Sequence, residues 1–207
     1  MTRLEFEDVI LSLEQEQIII GTILGDGHLQ PSKSARKAQF FTSSCDKDKD
    51  YVFWKYYELK STGLFLKPPK HKRRQTPFGH SSSWKLWSKT HSLFMGYRKL
   101  FYPNGKKVVT REILDKLDDL GLSVWYMDDG SLAQKRRGQR ITLHCVYSSH
   151  EYELVMDWLE QRFNLHFMIR KSEGRPIGLA IHKREEVVRF LDIIRPHIHS
   201  CMERKLG

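Results

Sequence analysis

Two aspartates, each followed by glycine, close two apolar segments 103 residues apart: Asp26 in IIIGTILGDGHL (18–29) and Asp129 in LSVWYMDDGSL (122–132). Each segment has the composition of a buried helix, so each carboxylate stands where a helix ends. That is the electrostatically unfavourable end, because the helix dipole and its unpaired carbonyls repel an anion by a few tenths to about 1 kcal/mol. A bound cation reverses the sign. Carboxylate oxygens beside orphan carbonyls are hard ligands, suited to Mg2+ (or Mn2+) that keeps several waters for a phosphate substrate. Two such carboxylates brought together match the arrangement that in-line phosphodiester hydrolysis uses, with water activated on one side and the leaving oxygen stabilised on the other. Gly21 and Gly25, four residues apart on one helix face, allow a second helix to come close enough to bring Asp26 to Asp129. Gly27 and Gly130 are expected to leave the helices through positive φ.

The elements that must hold these acids repeat. Ser12 with Gln15 forms a capping-box start for a helix that should end at Gly25. FFTSSCDKDKDYVFWKYYEL (40–59) is echoed by CVYSSHEYELVMDWLEQRF (145–163), both reading strand, Ser-Ser, helix. SSWKLWSKTHSLFMGYRKLF (82–101) is echoed by PIGLAIHKREEVVRFLDII (176–194), each an alternating run followed by a helical one. Each half closes on a basic pair, Lys106 and Lys107 in the first, Arg204 and Lys205 in the second. The reading is a duplicated α/β (α+β) chain with a pseudo-twofold axis: an N-terminal repeat over 1–110, a polar linker with a short helix over 111–120, and a C-terminal repeat over 121–207. Two halves pressed together hide their apolar helices better than either could alone.

Composition narrows the partner. Of 207 residues, 35 are Lys or Arg and 25 are Asp or Glu, a net charge of +10 that favours a polyanion such as nucleic acid. Cys45, Cys145 and Cys201 are too few and too scattered for a disulfide framework or a CxxC zinc site, and the pair His197 and His199 has no third ligand at zinc spacing. No apolar run approaches the ~20 residues that cross a bilayer. The acidic start MTRLEFEDVI argues against a secretory or transit peptide, so a cytoplasmic location is expected. Only Asn104 and Asn164 are asparagines, which favours a bacterial host over an AT-rich organelle genome.

IIGTILGDG (19–27) and LSVWYMDDG (122–130) together resemble the paired signatures of the LAGLIDADG homing endonucleases, in their single-chain, two-motif form. The wording WYMDDG and the terminal MERKL resemble the group I intron-encoded branch. The resemblance covers almost the whole chain. It implies two αββαββα repeats whose antiparallel sheets form a saddle over DNA, the signature helices meeting at the axis. It also implies a monomer that makes a magnesium-dependent double-strand cut across the minor groove and leaves short 3′ overhangs. Carried over, Asp26 and Asp129 become metal ligands, with Gly25 and Asp128 supplying backbone carbonyls and the Asp128 side chain left open. Lys107 and Lys205 match the basic residue near each scissile phosphate, with Lys106 or Arg204 as neighbours in register. Val124 stands where Gly21 has its counterpart, which implies an asymmetric helix contact.

KPPKHKRR (67–74) and AQKRRGQR (133–140) carry five and four basic residues beside expected strands. On a saddle, strand alternation gives one face to the helices and the other to a major groove. The groove-facing or phosphate-gripping candidates are His28, Gln30, Lys33, Arg36, Lys37, Gln39, Lys67, Lys70, Lys72, Arg73, Arg74 and Lys85 in the first half. In the second they are Lys135, Arg136, Arg137, Gln139, Arg140, His144, Arg170, Lys171, Arg175 and His182. Phe53, Trp54, Tyr56, Tyr57, Trp84 and Trp87 are expected in the core. YMDD also resembles the catalytic turn of reverse transcriptases, but that reading predicts no upstream GDG echo. A group I intron RNA maturase, or a non-cleaving repressor on the same fold, remains as the alternative to the nuclease.

Overall fold

The computed structural model describes residues 9–76, 79–135, 138–145 and 147–207. Arg136 and Arg137 lie outside the described residues, and the side chain of Lys135 is likewise undescribed. The first half runs α1 (Leu13–Leu24), β1 (His28–Pro31), β2 (Ala38–Cys45), α2 (Lys49–Leu59), β3 (Lys70–Thr76), β4 (Gly79–His91) and α3 (Ser92–Phe101). A short helix α4 (Arg111–Leu114) follows. The second half runs α5 (Asp119–Asp129), β5 (Gly130–Lys135), β6 (Gly138–Leu143), α6 (Ser149–Phe163), β7 (Met168–Ser172), β8 (Arg175–Ile181) and α7 (Arg184–Ile194). Two four-stranded antiparallel sheets result, in the matching orders β1-β2-β4-β3 and β5-β6-β8-β7.

Local chemistry sets the helix starts. Ser12 Oγ accepts from the Gln15 amide at 3.2 Å while Gln15 returns the bond to the Ser12 amide at 3.1 Å, and Ser148 with Glu151 repeats the device for α6. Asp118 caps α5 by accepting from the Gly121 amide at 3.0 Å. Residues 17–24 of α1 and 121–127 of α5 are all buried, so beyond its first turn neither helix has a solvent face. Ile113, Leu114 and Leu117 of the connecting segment are buried too, and the Gln17 amide clamps that segment, donating to the Lys116 carbonyl at 2.8 Å and accepting from the Asp118 amide at 3.0 Å.

The two central helices run side by side. A Cβ on Gly21 would sit 2.8 Å from Val124 Cβ and closer still to the Gly121 carbonyl, and one on Gly25 would sit 2.5 Å from Asp128 Cβ. Counterpart positions therefore face each other, glycine on α1 against a side chain on α5. The asymmetry expected from Val124 is present, and it fills the contact rather than loosening it. Gly27 and Gly130 do not take positive φ. They are needed for space: a Cβ at Gly27 would lie 2.6 Å from the Thr22 carbonyl, and one at Gly130 would strike the Tyr126 ring.

In the first sheet, Ala38, Phe40, Thr42 and Leu86 are buried on the helical side, whereas Gln39, Phe41, Ser43, Lys85 and Trp87 alternate to the other face. Two expected core aromatics depart from the core: Trp87 lies on that outward face, and Tyr57 is 55% exposed on α2.

Gly21→Val should lower stability by about 2 kcal/mol or more through overpacking, read as a lower urea midpoint. Gly96 lies within α3, where an added methyl would meet nothing within 4 Å, so Gly96→Ala should gain about 0.5–1 kcal/mol in the same titration.

Candidate functional site

At the ends of α1 and α5 the backbone carbonyls that a helix leaves unpaired are taken by two lysines. Lys107 Nζ donates to Leu24 O at 3.1 Å and Gly25 O at 3.0 Å. Lys205 Nζ, from the 3-10 turn at Ser200–Leu206, donates to Met127 O at 2.5 Å and Asp128 O at 3.1 Å. The pairs Leu24, Gly25 and Met127, Asp128 are counterparts, so the duplication extends to the cationic tips. Burial pulls both ammonium groups below their usual value, and the nearby carboxylates act against it, Asp129 foremost for Lys107 and Asp128 for Lys205. The neighbours Lys106 and Arg204 do not take this place: Arg204 instead pairs with Asp48 at 2.6 Å.

The acids are arranged crosswise. A cavity of about 310 Å³ is lined by Asp129 and His144 of the second half together with Leu24, Gly25 and Lys107 of the first. A second, of about 380 Å³, joins Asp26 and Ser43 of the first half to Met127 and Asp128 of the second. The first cavity thus sets Asp129 beside the carbonyl end of α1, and the second sets Asp26 beside the carbonyl end of α5, with Asp48 also in its lining. Burial, then the charge of Asp128, raises the Asp26 carboxyl; burial, then Asp26 and Asp128, pushes Asp129 up to about 7. The charges of Lys107 and Lys205 act against both shifts without cancelling them. All donors are carboxylate or backbone oxygen, a hard set that fits a divalent ion, while no group of three or more His, Cys, Asp or Glu side chains forms a metal cluster among the described residues.

The Asp128 side chain does not belong to this donor set. It is 1% exposed and forms an ion pair with Lys55 of α2 at 2.7 Å, so its contribution to the cavity is the backbone carbonyl. Lys55 was not singled out by the sequence, although a signal existed: it shares the buried stripe of α2 with Tyr51, Val52 and Leu59, where a lone charge requires a partner.

The nucleic-acid candidates divide. His28, Gln30, Lys70, Lys72, Arg74 and Lys85 share the outward face of the first sheet by register. Gln39 also faces outward, but its amide donates to the Ser88 carbonyl at 2.6 Å. Arg73, also exposed, pairs with Ser82 on the side of His71 and Trp84, toward Asp46, because alternation turns it to the face opposite Lys70, Lys72 and Arg74. Lys33, Arg36 and Lys37 occupy the exposed β1–β2 connection, and Lys67 precedes β3. In the second sheet, Arg140 pairs with Ala133, leaving Nε buried and without a hydrogen-bond partner, and Arg170 alternates with the inward Ile169. Gln139 is bound to Gln134 at 3.0 Å. Lys171 and Arg175 flank the β7–β8 turn, and exposed His182 follows β8. His144 stands next to the acid: its amide donates to the Asp129 carbonyl at 2.8 Å and its ring meets Ser131 Oγ at 2.8 Å.

Outward-facing Phe41 and Trp87 were also missed, their rings 5.4 Å apart, with Lys85 Nζ 5.8 Å over Phe41. Beside them lies a cavity of about 480 Å³ lined by Lys67, Lys70, Lys72, Trp87 and Lys89, away from the acids.

Comparison with known proteins agrees with this architecture. The chain is 24% identical to the homing endonuclease I-WcaI, solved bound to its DNA recognition sequence, with a TM-score of 0.85 over 95% of this chain and 87% of that one. It is 27% identical to the "Probable intron-encoded endonuclease 1" of Wickerhamomyces canadensis, over 95% of this chain and 85% of that protein. It is also 27% identical to the protein RecA of Mycobacterium shimoidei over 97% of this chain but 48% of RecA, so the chain spans about half the length of these RecA relatives. The profile of the LAGLIDADG DNA endonuclease family matches residues 16–188, a span that holds both nine-residue signatures and both sheets, and the chain belongs to that family.

Proposed function

We propose that the protein is a site-specific homing endonuclease that hydrolyses both strands of double-stranded DNA with a divalent cation, Mg2+ or Mn2+, leaving short 3′ overhangs. The observation that carries this reading is the crossed pair of cavities, one lined by Asp129, Gly25 and Lys107, the other by Asp26, Met127 and Asp128, with Lys205 held on the Met127 and Asp128 carbonyls. Asp26 with the Asp128 carbonyl, and Asp129 with the Gly25 carbonyl, would hold the cation, which when bound activates water and neutralises phosphate charge. Lys205 and Lys107 present positive charge to the phosphate in the respective sites and stabilise the charge that develops there. The outward sheet faces grip the duplex: lysines and arginines neutralise phosphates, Arg140 and Arg170 offer guanidinium donors to base edges, and Phe41 with Trp87 offers apolar surface to thymine methyls. The proposal further takes the repeats as 1–110 and 121–207 joined by 111–120, the active form as a monomer, the host element as a group I intron, and the location as a bacterial cytoplasm.

The deciding experiment incubates the protein with Mg2+ and genomic DNA rich in intron-free ribosomal RNA genes, then sequences the new ends, with Asp26→Asn alongside. Paired staggered ends at one long site, of ~20 bp if each half covers about one helical turn, are expected from the wild type alone. Intact DNA together with tight binding to structured intron RNA would replace this reading with that of a maturase.

Asp26→Asn and Asp129→Asn should each abolish double-strand cleavage while keeping the DNA Kd within about tenfold, since phosphate contacts on the basic faces dominate affinity. Log Kd should vary steeply with log salt, by about 0.9 per phosphate contact; a flat response in a filter-binding titration counts against the reading.

The crowded acids also set a pH dependence. The Asp129 carboxyl titrates near 3.9 in an unfolded chain and about 7 in the fold. Between those values the folded state holds the extra proton, so metal-free stability is lost as pH rises from about 4 to 7. Asp129→Asn should therefore raise the metal-free Tm by about 3 °C or more at pH 8 and far less at pH 4.5, whereas added Mg2+ should raise the wild-type Tm more than the variant's.

A further inference from the structure

The two acid sites are not equivalent, and the difference lies in one buried ion pair. Lys55 Nζ sits 2.7 and 3.0 Å from the two carboxylate oxygens of Asp128, and both side chains are 1% exposed. The ammonium also lies 4.4 Å from the centroid of the Tyr51 ring, whose hydroxyl donates to the Val124 carbonyl at 3.3 Å. On its other side the Asp128 carboxylate accepts from the Asp26 amide at 3.4 Å. A rail therefore runs from α2 of the first half, through Asp128 on α5, to the backbone of Asp26.

The other site has no such rail. The counterpart of Asp128 is Gly25, which has no side chain to receive a cation. Asp128 is also the residue next to Asp129. Without Lys55 its carboxylate would be a third free anion among two that already repel each other, and a competing oxygen ligand within reach of the cation. Removing one partner of a buried pair strands the other's charge, whereas neutralising both is commonly tolerated.

We propose that Lys55 is a positioning residue for one DNA strand: by binding the Asp128 carboxylate it keeps that group out of the ligand set and fixes the carbonyl end of α5 against Asp26. The inference rests on the endonuclease reading and makes the two cuts dependent on different residues. Loss of Lys55 then disables the site at Asp26 and spares the site formed by Asp129, Gly25 and Lys107.

The test uses the full chain, Mg2+ and a supercoiled plasmid carrying the target recovered from the genomic digest, with each strand followed by its own end label. Lys55→Met is expected to slow one strand by about tenfold or more relative to the other, the range seen when a group supporting a metal ligand is lost, so nicked circles accumulate. Lys55→Gln, which keeps a hydrogen-bond donor, should bias the same strand and serves if Lys55→Met does not fold. Lys55→Met combined with Asp128→Asn should recover linear product relative to the single variant, and should recover the Mg2+-induced rise in Tm that Lys55→Met diminishes, because the stranded anion is gone. Equal slowing of both strands, unbiased cutting by the Lys55 variants, or no recovery in the double variant overturns the assignment. An intact plasmid with the wild-type chain means instead that the endonuclease reading fails, and the assignment falls with it.

Discussion

Negative charge is concentrated where two helices end. Asp26, Asp128 and Asp129 meet at the carbonyl tips of α1 and α5, and those tips are already negative through the helix dipole. Much of the rest of the structure manages this one constraint. Lys107 and Lys205 come from the end of each half to occupy the carbonyls, and Lys55 is buried to hold Asp128. Glycines at 21 and 25 let the helices approach closely enough for the charges to meet at all. A strand leads away from each acid, β1 beginning at His28 after Asp26 and β5 at Gly130 after Asp129, and His144, just past β6, donates its amide to the Asp129 carbonyl.

The destabilisation that this crowding causes falls where it is useful. An aspartate that titrates near neutrality is a poor contributor to the stability of the empty fold and a strong attractor for a cation. The same residues therefore weaken the protein alone and would be relieved by a bound cation, a coupling that a core-facing salt bridge at every position would have removed. Only Asp128 is treated in that second way, and it is the one acid of the three whose side chain has no place in the donor set.

The features legible in the sequence were those written locally or repeated. The Ser12 capping box, the helix that stops at Gly25, the paired β-strand and helix echoes, and the end-of-half lysines each needed only short-range pattern or comparison of one half with the other. Asp26 and Asp129 were legible because an acid at a helix C-terminus is unusual and here occurs twice. What was hidden depends on the third dimension. Whether Asp128 used its side chain turned on Lys55, 73 residues away. Trp87 was misassigned because residue type, rather than strand phase, was allowed to choose the face. Gly27 and Gly130 were assigned to the right places for the wrong reason, the limit being a neighbouring atom and not a backbone angle.

The contact of Gly21 with Val124 has an evolutionary consequence. In an ancestor made of two identical halves, the same residue would have faced itself across the axis. Two copies of the present first half would now leave a void at that point, and two copies of the present second half would press valine on valine and aspartate on aspartate with no glycine to receive them. Divergence at positions 21, 25, 124 and 128 has thus made each half obligate to the other. Once specialised in this way, neither half can be exchanged for a second copy of the other without remaking the contact between α1 and α5.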